Sequence, residues 1–283
     1  MRRLFVFSPV IYDIAGFNLV VQREKGSPAI FGPDIMDTFS VTQSIESPDF
    51  VLTIPSSNFC RSNKGEKKVS QEGTDLIFDY SSDREDLVLS SDVTWKNWRL
   101  YSTLSGNNVD DWFEKLGNLF AWSVLTRNVF VIHGVILEWN GKGIILTAAS
   151  GTGKTTHARL WRQYENALII NGDRTLLRQE GDIWYACGIP WSGSSGECIN
   201  RKVPLHAIVF LERGDVNTTD FMKPLEAFSR ILPRIIAPQW NSELSTVAID
   251  LAIQCLEKIP AIRLVCRPDE ESVYALKEAI MTI

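Results

Sequence analysis

The stretch Ile145-Leu-Thr-Ala-Ala-Ser-Gly-Thr-Gly-Lys-Thr-Thr156 runs an apolar segment straight into a glycine loop and then into residues that open a helix. From Ala148 to Thr155 it follows the phosphate-binding pattern Gly-x-x-x-x-Gly-Lys-Ser/Thr, with Ala148 in place of the leading glycine. That pattern works because loop amides converge on an anion, the helix adds its positive end, and a lysine adds a point charge. Gly151 and Gly153 keep the backbone free to turn its N–H groups inward, and an alanine at 148 is tolerated where φ stays negative. The expected ligands are the triphosphate of ATP, on Ser150, Gly151, Thr152, Gly153, Lys154, Thr155 and Thr156, and Mg2+ on the Thr155 hydroxyl. The plainer reading is a glycine-rich turn with an incidental lysine. Strand, loop and helix in the motif's own order favour the nucleotide.

Upstream, Val129–Ile132 and Val135–Trp139 read as a nearly continuous apolar strand. Asn140-Gly141 is a strong two-residue hairpin signal, and Gly143–Thr147 is the strand that feeds the loop. The loop strand is therefore expected to pair antiparallel with its predecessor, unlike a plain βαβ unit. Downstream, Ala158, Trp161 and Tyr164 share one face of a helix over 155–164. Ala167–Ile170 reads as a buried strand ending in Asn171-Gly-Asp173. Glu180-Gly-Asp182 turns a hairpin between 175–178 and 183–186, and His206–Leu211 is another buried strand. Phe221 onward reads as helical, Leu232-Pro-Arg-Ile-Ile-Ala-Pro-Gln-Trp240 is interrupted by proline, and Ile262–Cys266 is a last strand before a helix from Glu270.

The first 106 residues alternate short apolar runs (17–21, 50–54, 76–80, 87–89) with polar clusters such as Asn63–Lys67 and Ser81–Glu85, a β-rich texture. Leu104-Ser-Gly-Asn-Asn-Val-Asp-Asp111 reads as a loop ending in helix caps. Trp112, Leu116, Leu119, Phe120 and Ser123 then recur at helical spacing. The expected domains are residues 1–106, β-rich and a candidate substrate-docking module, and residues 107–283, which carry the loop. The fold class is α/β, with a mixed sheet around the glycine loop.

Composition excludes other classes. A hydrophobic fraction of 45% over 283 residues suffices for a buried core, and a net charge of −5 offers no pull on nucleic acid or anionic lipid. Pro9 and Asp13 break the apolar N-terminus before it resembles a secretion signal, and no segment is long and apolar enough to span a membrane. The five cysteines contain no Cys-x-x-Cys pair, so a reducing cytoplasm is expected.

Phosphoryl transfer to a hydroxyl needs a carboxylate near the attacking oxygen. Asp173, at the end of the next buried strand, is the candidate, and a turn-capping aspartate is the equal alternative. His133 interrupts an apolar strand as either a satisfied core histidine or a site residue. Trp191-Ser-Gly-Ser-Ser-Gly-Glu197 reads as a donor-rich loop able to close over phosphates, with Glu197 as a second Mg2+ ligand, or as an ordinary surface loop. His157, expected to be exposed early in its helix, and His206 read as structural.

The run His133-Gly-Val-Ile-Leu-Glu-Trp-Asn-Gly-Lys-Gly-Ile-Ile-Leu-Thr-Ala-Ala-Ser-Gly-Thr-Gly-Lys-Thr155 resembles the core of the HPr kinase/phosphorylase family. That family joins a His-Gly-Val strand, a hairpin and a phosphate loop at this spacing. The resemblance continues through Ile169-Ile-Asn-Gly-Asp-Arg174 and covers about residues 120–215, with an echo in Ile259–Glu270. It implies a P-loop kinase core of the type shared with phosphoenolpyruvate carboxykinases. It implies ATP and Mg2+ on Lys154 and Thr155, Asp173 as base for a substrate serine, and His133 in the reaction centre. Gly172 stands where the family has the first aspartate of a pair. Gly196-Glu-Cys-Ile-Asn-Arg201 occupies the place of its Glu-Ile-Arg-Gly signature, with Glu197 the equivalent glutamate. Gly188-Ile-Pro-Trp-Ser-Gly193 and the closing Arg-Pro-Asp are similar to diverged serine kinases of peptide natural-product clusters, some of which phosphorylate a lasso-peptide precursor.

The resulting expectation is a kinase acting on a serine of a peptide or protein, with no nucleic-acid or membrane partner and with self-association left open. A small-molecule alcohol kinase on the same site and a nucleotide-binding regulatory module that has lost catalysis are the alternatives.

Overall fold

The computed structural model describes residues 8–27, 34–43, 45–56, 68–82, 86–102 and 109–283. The polar cluster 63–67, the 104–108 part of the expected loop, residues 83–85 and Cys60 lie outside them. The chain divides into two compact units, 1–123 and 124–283.

The first unit is a mixed sheet of eight strands: β1 (Val10–Ile14), β2 (Phe17–Arg23), β3 (Ser40–Val41), β4 (Phe50–Ile54), β5 (Lys68–Glu72), β6 (Asp75–Asp79), β7 (Leu87–Asp92) and β8 (Asn97–Ser102). Their order is β3-β1-β2-β4-β8-β7-β6-β5, with β2, β4 and β8 mutually parallel and the outer neighbours antiparallel. Alternation in β4 turns Phe50, Leu52 and Ile54 to the buried face. There Phe50 stacks on Trp98 at 4.8 Å and meets Phe120 edge-on at 5.9 Å.

Phe120 belongs to α1 (Val109–Leu125), whose Leu116, Leu119, Phe120 and Ser123 are all buried, as their spacing predicts. Because this apolar stripe covers the first sheet, the units divide after Ser123 and not at the 106/107 boundary expected from sequence. Linker chemistry is visible locally; the surface a helix covers is not.

The second unit is a nine-stranded mixed sheet. One part is antiparallel, β9 (Val129–His133), β13 (Arg174–Glu180) and β14 (Ile183–Gly188), and it joins the start of β15 (Lys202–Arg213). The other part runs β12 (Leu168–Asn171), β10 (Val135–Trp139), β11 (Lys142–Thr147), β15, β17 (Ala261–Cys266) and β16 (Thr218–Phe221). Within it β11, β15 and β17 are parallel, and β10 and β11 form the expected antiparallel hairpin. Asn140 and Gly141 both hold positive φ, 51° and 75°, as that two-residue turn demands.

Helices α2 (Lys154–Glu165) and α5 (Glu270–Met281) bury Ala158, Trp161, Val273, Leu276 and Ile280 against Leu137, Leu146, Val209 and Leu264. Trp161 meets Trp139 edge-on at 5.5 Å and is fully buried, so truncating it to alanine costs about 3–5 kcal/mol. On the chain between β16 and β17, α3 (Pro224–Ile231) packs on α4 (Ser242–Lys258), and α4 lies against β9.

Two local readings change. The apolar run 129–139 is two strands, because β9 stays on β13 while β10 leaves for β11 and β12. The bend is pinned at Gly134, whose N–H donates to the Asp173 carbonyl at 2.8 Å and whose carbonyl accepts from the Thr175 hydroxyl at 2.9 Å. Phe221 ends a strand instead of opening a helix; β16 forms only because β17 supplies its antiparallel partner, and the helix starts at Pro224.

Candidate functional site

The glycine loop leaves the end of β11 and returns at Gly153, the N-cap of α2. Gly151 (φ 74°) and Gly153 (φ 118°) hold conformations that L side chains rarely adopt, whereas Ala148 does not take a positive φ. No side chain caps α2 and no acidic residue sits in its first turn, so its leading amides keep their full affinity for an anion. Lys154 arches back over the loop to donate to the Ala148 carbonyl at 3.3 Å. Arg213, at the end of β15, holds the loop's outer side by donating to the carbonyls of Gly151 and Thr152, the latter at 3.2 Å. Ser150, Gly151 and Thr156 are exposed, and Thr152, Gly153, Lys154 and Thr155 are half-buried. All seven expected phosphate contacts therefore form one accessible segment.

Asp173 and His133 come to this loop from the antiparallel part of the sheet. Asp173 lies between β12 and β13, with Oδ1 4.0 Å from His133 Nδ1 and Oδ2 3.9 Å from Nε of the buried Arg174. The Thr147 hydroxyl donates to the His133 carbonyl at 2.8 Å, tying the strand that enters the loop to the histidine. Burial holds His133 below its usual pKa, with Arg174, Lys154 and Arg234 pushing the same way and Asp173 opposing. Burial likewise lowers Lys154, with Arg234 adding to it and Asp173 opposing. Asp173, His133, Lys154, Arg174 and Arg234 thus form one electrostatic cluster. A mixed cluster of this kind suits a reaction in which a hydroxyl loses a proton while anionic charge passes between oxygens.

Asn171 organises the carboxylate. Fully buried, it accepts through Oδ1 from the amides of Asp173 and Arg174, both at 2.9 Å, and donates through Nδ2 to the carbonyls of Ile189 and Trp191 at 2.6 and 3.4 Å. One amide therefore fixes the Asp173 turn and the loop 191–197 together. That loop makes a 3-10 turn at Gly193–Ser195 directly over the site. A Cβ on Gly193 would lie 2.9 Å from Asp173 Cγ, and one on Gly172 would lie 2.6 Å from Ser195 Cβ. Gly172 is thus a packing requirement of the loop that covers it.

Glu197 stands apart from the cluster. Its Oε1 pairs with Arg162 of α2 at 2.7 Å, while its buried Oε2 has no partner among the described residues. Among those residues no three His, Cys, Asp or Glu side chains gather as a ready-made metal site.

Three residues of the site carry no signal in the sequence. Arg234 is a lone arginine in the proline-interrupted stretch; it arrives because Ile235 bridges Ile132, and the Ile236 amide donates to the Val131 carbonyl at 2.8 Å, setting residue 234 opposite His133. Arg213 reaches the loop only through the parallel pairing of β11 and β15. His157, expected to be exposed, is 3% exposed, and among the described residues neither ring nitrogen has a hydrogen-bond partner on another residue. Burial pushes its pKa down to about 4, and leaving its polar atoms unpaired costs about 1–3 kcal/mol each.

Two clefts flank the contact between Arg213 and the loop. One, about 400 Å3, is lined by Ala148, Ala149, Arg230 and Arg234. The other, about 570 Å3, is lined by Gly153, Thr156, His157, Asp215, Arg267 and Pro268.

No family model and no curated protein matches the chain. Among solved structures, the chain is similar to the Hpr(Ser) kinase/phosphatase from Coxiella burnetii, with a TM-score of 0.31 and 13% identity over 54% of this chain and 88% of that one. No helix among the described residues is long and apolar enough to cross a membrane.

Proposed function

We propose that the chain is an ATP-dependent kinase that transfers the γ-phosphoryl group to a serine hydroxyl of a peptide or protein. The observation that carries this reading is the convergence of Asp173 and His133, 4.0 Å apart, with Lys154 at the uncapped start of α2. The amides of 150–156 and the Lys154 ammonium hold the phosphates. Asp173 orients the serine hydroxyl and takes its proton as the new O–P bond forms and the bond to the ADP oxygen breaks. His133 sits beside the transferring group, and Arg174 and Arg234 offset its charge. Mg2+ would be held by the Thr155 hydroxyl and Glu197 Oε2, and would neutralise charge on the phosphate oxygens. The resemblance of 188–193 and of the closing Arg-Pro-Asp to peptide natural-product kinases favours a ribosomal precursor peptide, such as a lasso precursor, as the acceptor.

The test is incubation with ATP and Mg2+ against serine-containing peptides and free alcohols, read by mass spectrometry. The expected result is phosphate on a peptide serine, lost in Lys154→Ala. Phosphate on free alcohols alone would move the acceptor to small molecules. ATP binding without turnover on any acceptor would make the chain a regulatory module.

A further inference from the structure

The smaller cleft opens where β11 and β15 end. The nearly buried Phe210 gives it an apolar wall, and Arg213, Arg230 and Arg234 stand around it with Glu212. Of the residues expected to hold phosphate, only Thr152 lines it; the rest of the loop's share is Thr147, Ala148 and Ala149, which precede the glycines. The cleft thus meets the strand that enters the loop, and none of Gly153, Lys154 and Thr155 contributes to it.

Three arginines against one glutamate leave this lining with two positive charges in excess, in a chain whose net charge is −5. The excess can be assigned to particular residues. Arg230 pairs with Glu212 and, at 3.6 Å, with Glu226. Arg213 donates to the Gly151 and Thr152 carbonyls, which carry no formal charge. Arg234 is half-buried and has no side-chain hydrogen-bond or ion-pair partner among the described residues, yet its charge acts on both His133 and Lys154. A guanidinium partly withdrawn from water and facing no carboxylate is completed by an anion that arrives from outside. Its planar fork of donors matches a carboxylate, and enough donors remain for its charge to be felt at the transferring group as well.

We infer that this cleft selects the acceptor by charge: it takes an aspartate or glutamate side chain of the peptide, within about two residues of the acceptor serine, on Arg234. The inference rests on the kinase reading and names the peptides that such a site prefers. An extended peptide advances about 3.3–3.4 Å per residue, so a carboxylate seated on Arg234 leaves its near neighbours within reach of His133 and Asp173. Leu232 and Pro233, both exposed next to Arg234, offer apolar contact to the peptide around that carboxylate.

Competition between peptides in one reaction tests it. Peptides blocked at both ends, identical except for Glu, Gln or Lys placed within two residues of the serine on either side, are mixed with the full chain and MgATP, and their phosphorylated products are compared by mass spectrometry. The Glu peptide is expected to exceed the Gln peptide in kcat/KM by about tenfold, and the Lys peptide by more, with the margin shrinking as salt rises. Arg234→Gln should bring the Glu-to-Gln ratio close to one whatever it does to the overall rate, and Arg234→Glu should favour the Lys peptide. A loss of transition-state stabilisation alone would slow all the peptides alike and leave the ratio where it was. Arg230→Gln, which leaves Glu212 unpaired in the cleft, should lower the ratio with MgATP affinity unchanged in a calorimetric titration. Equal use of the Glu, Gln and Lys peptides by the wild type, or an acidic preference kept by the folded variants, overturns the inference while the kinase reading stands. Phosphate on none of the peptides overturns both.

Discussion

A Cβ added to Gly151 or Gly153 would meet no atom within 4 Å, although both residues hold positive φ; in the loop at 191–197, a Cβ on Gly193 would press on Asp173 at 2.9 Å. The first loop is folded around open space, and its glycines serve backbone direction. The second is folded onto side chains at Gly193, which holds positive φ too (57°) and, like Gly172 beneath it, also serves close approach; Gly196 beyond it meets no atom and serves direction alone. The difference assigns the loops different work. A surface shaped around space at the uncapped start of α2 is open to receive something, whereas one clamped by Asn171 onto Asp173 fixes a carboxylate in place.

The contrast is broken hardest at the carboxylate. Asp173→Asn keeps the packing but removes the proposed base, and should lower turnover by about 10²–10⁴ with ATP affinity nearly unchanged in a binding titration. A variant that turns over normally would reduce the packed loop to architecture. Gly153→Ala attacks the open loop instead. No atom obstructs the new methyl, so the whole penalty is backbone strain of about 1–3 kcal/mol at φ 118°, expected as a roughly tenfold or greater loss of ATP affinity.

Gly172→Asp restores the residue expected from the family resemblance but drives its Cβ into Ser195. Overpacking of this kind costs about 1–3 kcal/mol and lowers the melting temperature by several degrees; Ser195→Gly in the same chain should recover part of the loss. Recovery would show that Gly172 and the 193–195 turn are one co-adapted unit.

The last effect, seen only as pH falls, concerns His157. Its folded pKa of about 4 lies below the ordinary 6.5, so as pH falls the unfolded chain takes up the proton first. The stability held by the neutral ring is complete above 6.5 and is lost between 6.5 and about 4, by about 3 kcal/mol in all. Denaturant melts across that window should show His157→Gln with a flatter pH dependence than the wild type.

How legible each part was in the sequence follows from the range of the interactions that make it. The Asn140-Gly141 hairpin, the Glu180–Asp182 turn, the strand–loop–helix at 142–165 and the apolar stripe of α1 are written in adjacent residues. The break at Gly134 is not, because the carbonyl that captures its amide is that of Asp173. Arg234 joins the site through pairing of residues 235 and 236 with β9, about a hundred positions earlier in the chain. His157 defeats local reading for another reason: a polar residue in a first helical turn looks solvated until β17 and α5 close beside it. The burial of Arg174, and the parallel arrangement of β2, β4 and β8, likewise need the whole sheet.

The long strand β15 belongs to both parts of the second sheet. Residues 202–204 pair with β14, and residues 205–213 run beside β11 and β17 before Arg213 reaches back to the glycine loop. The strand therefore works as a ruler laid across the molecule, with the strands that deliver His133 and Asp173 aligned at one end and the loop that presents Lys154 aligned at the other. A single residue inserted near Pro204 would leave each half internally sound and yet set the two scales out of step, separating Asp173 and His133 from Lys154 without altering any of them.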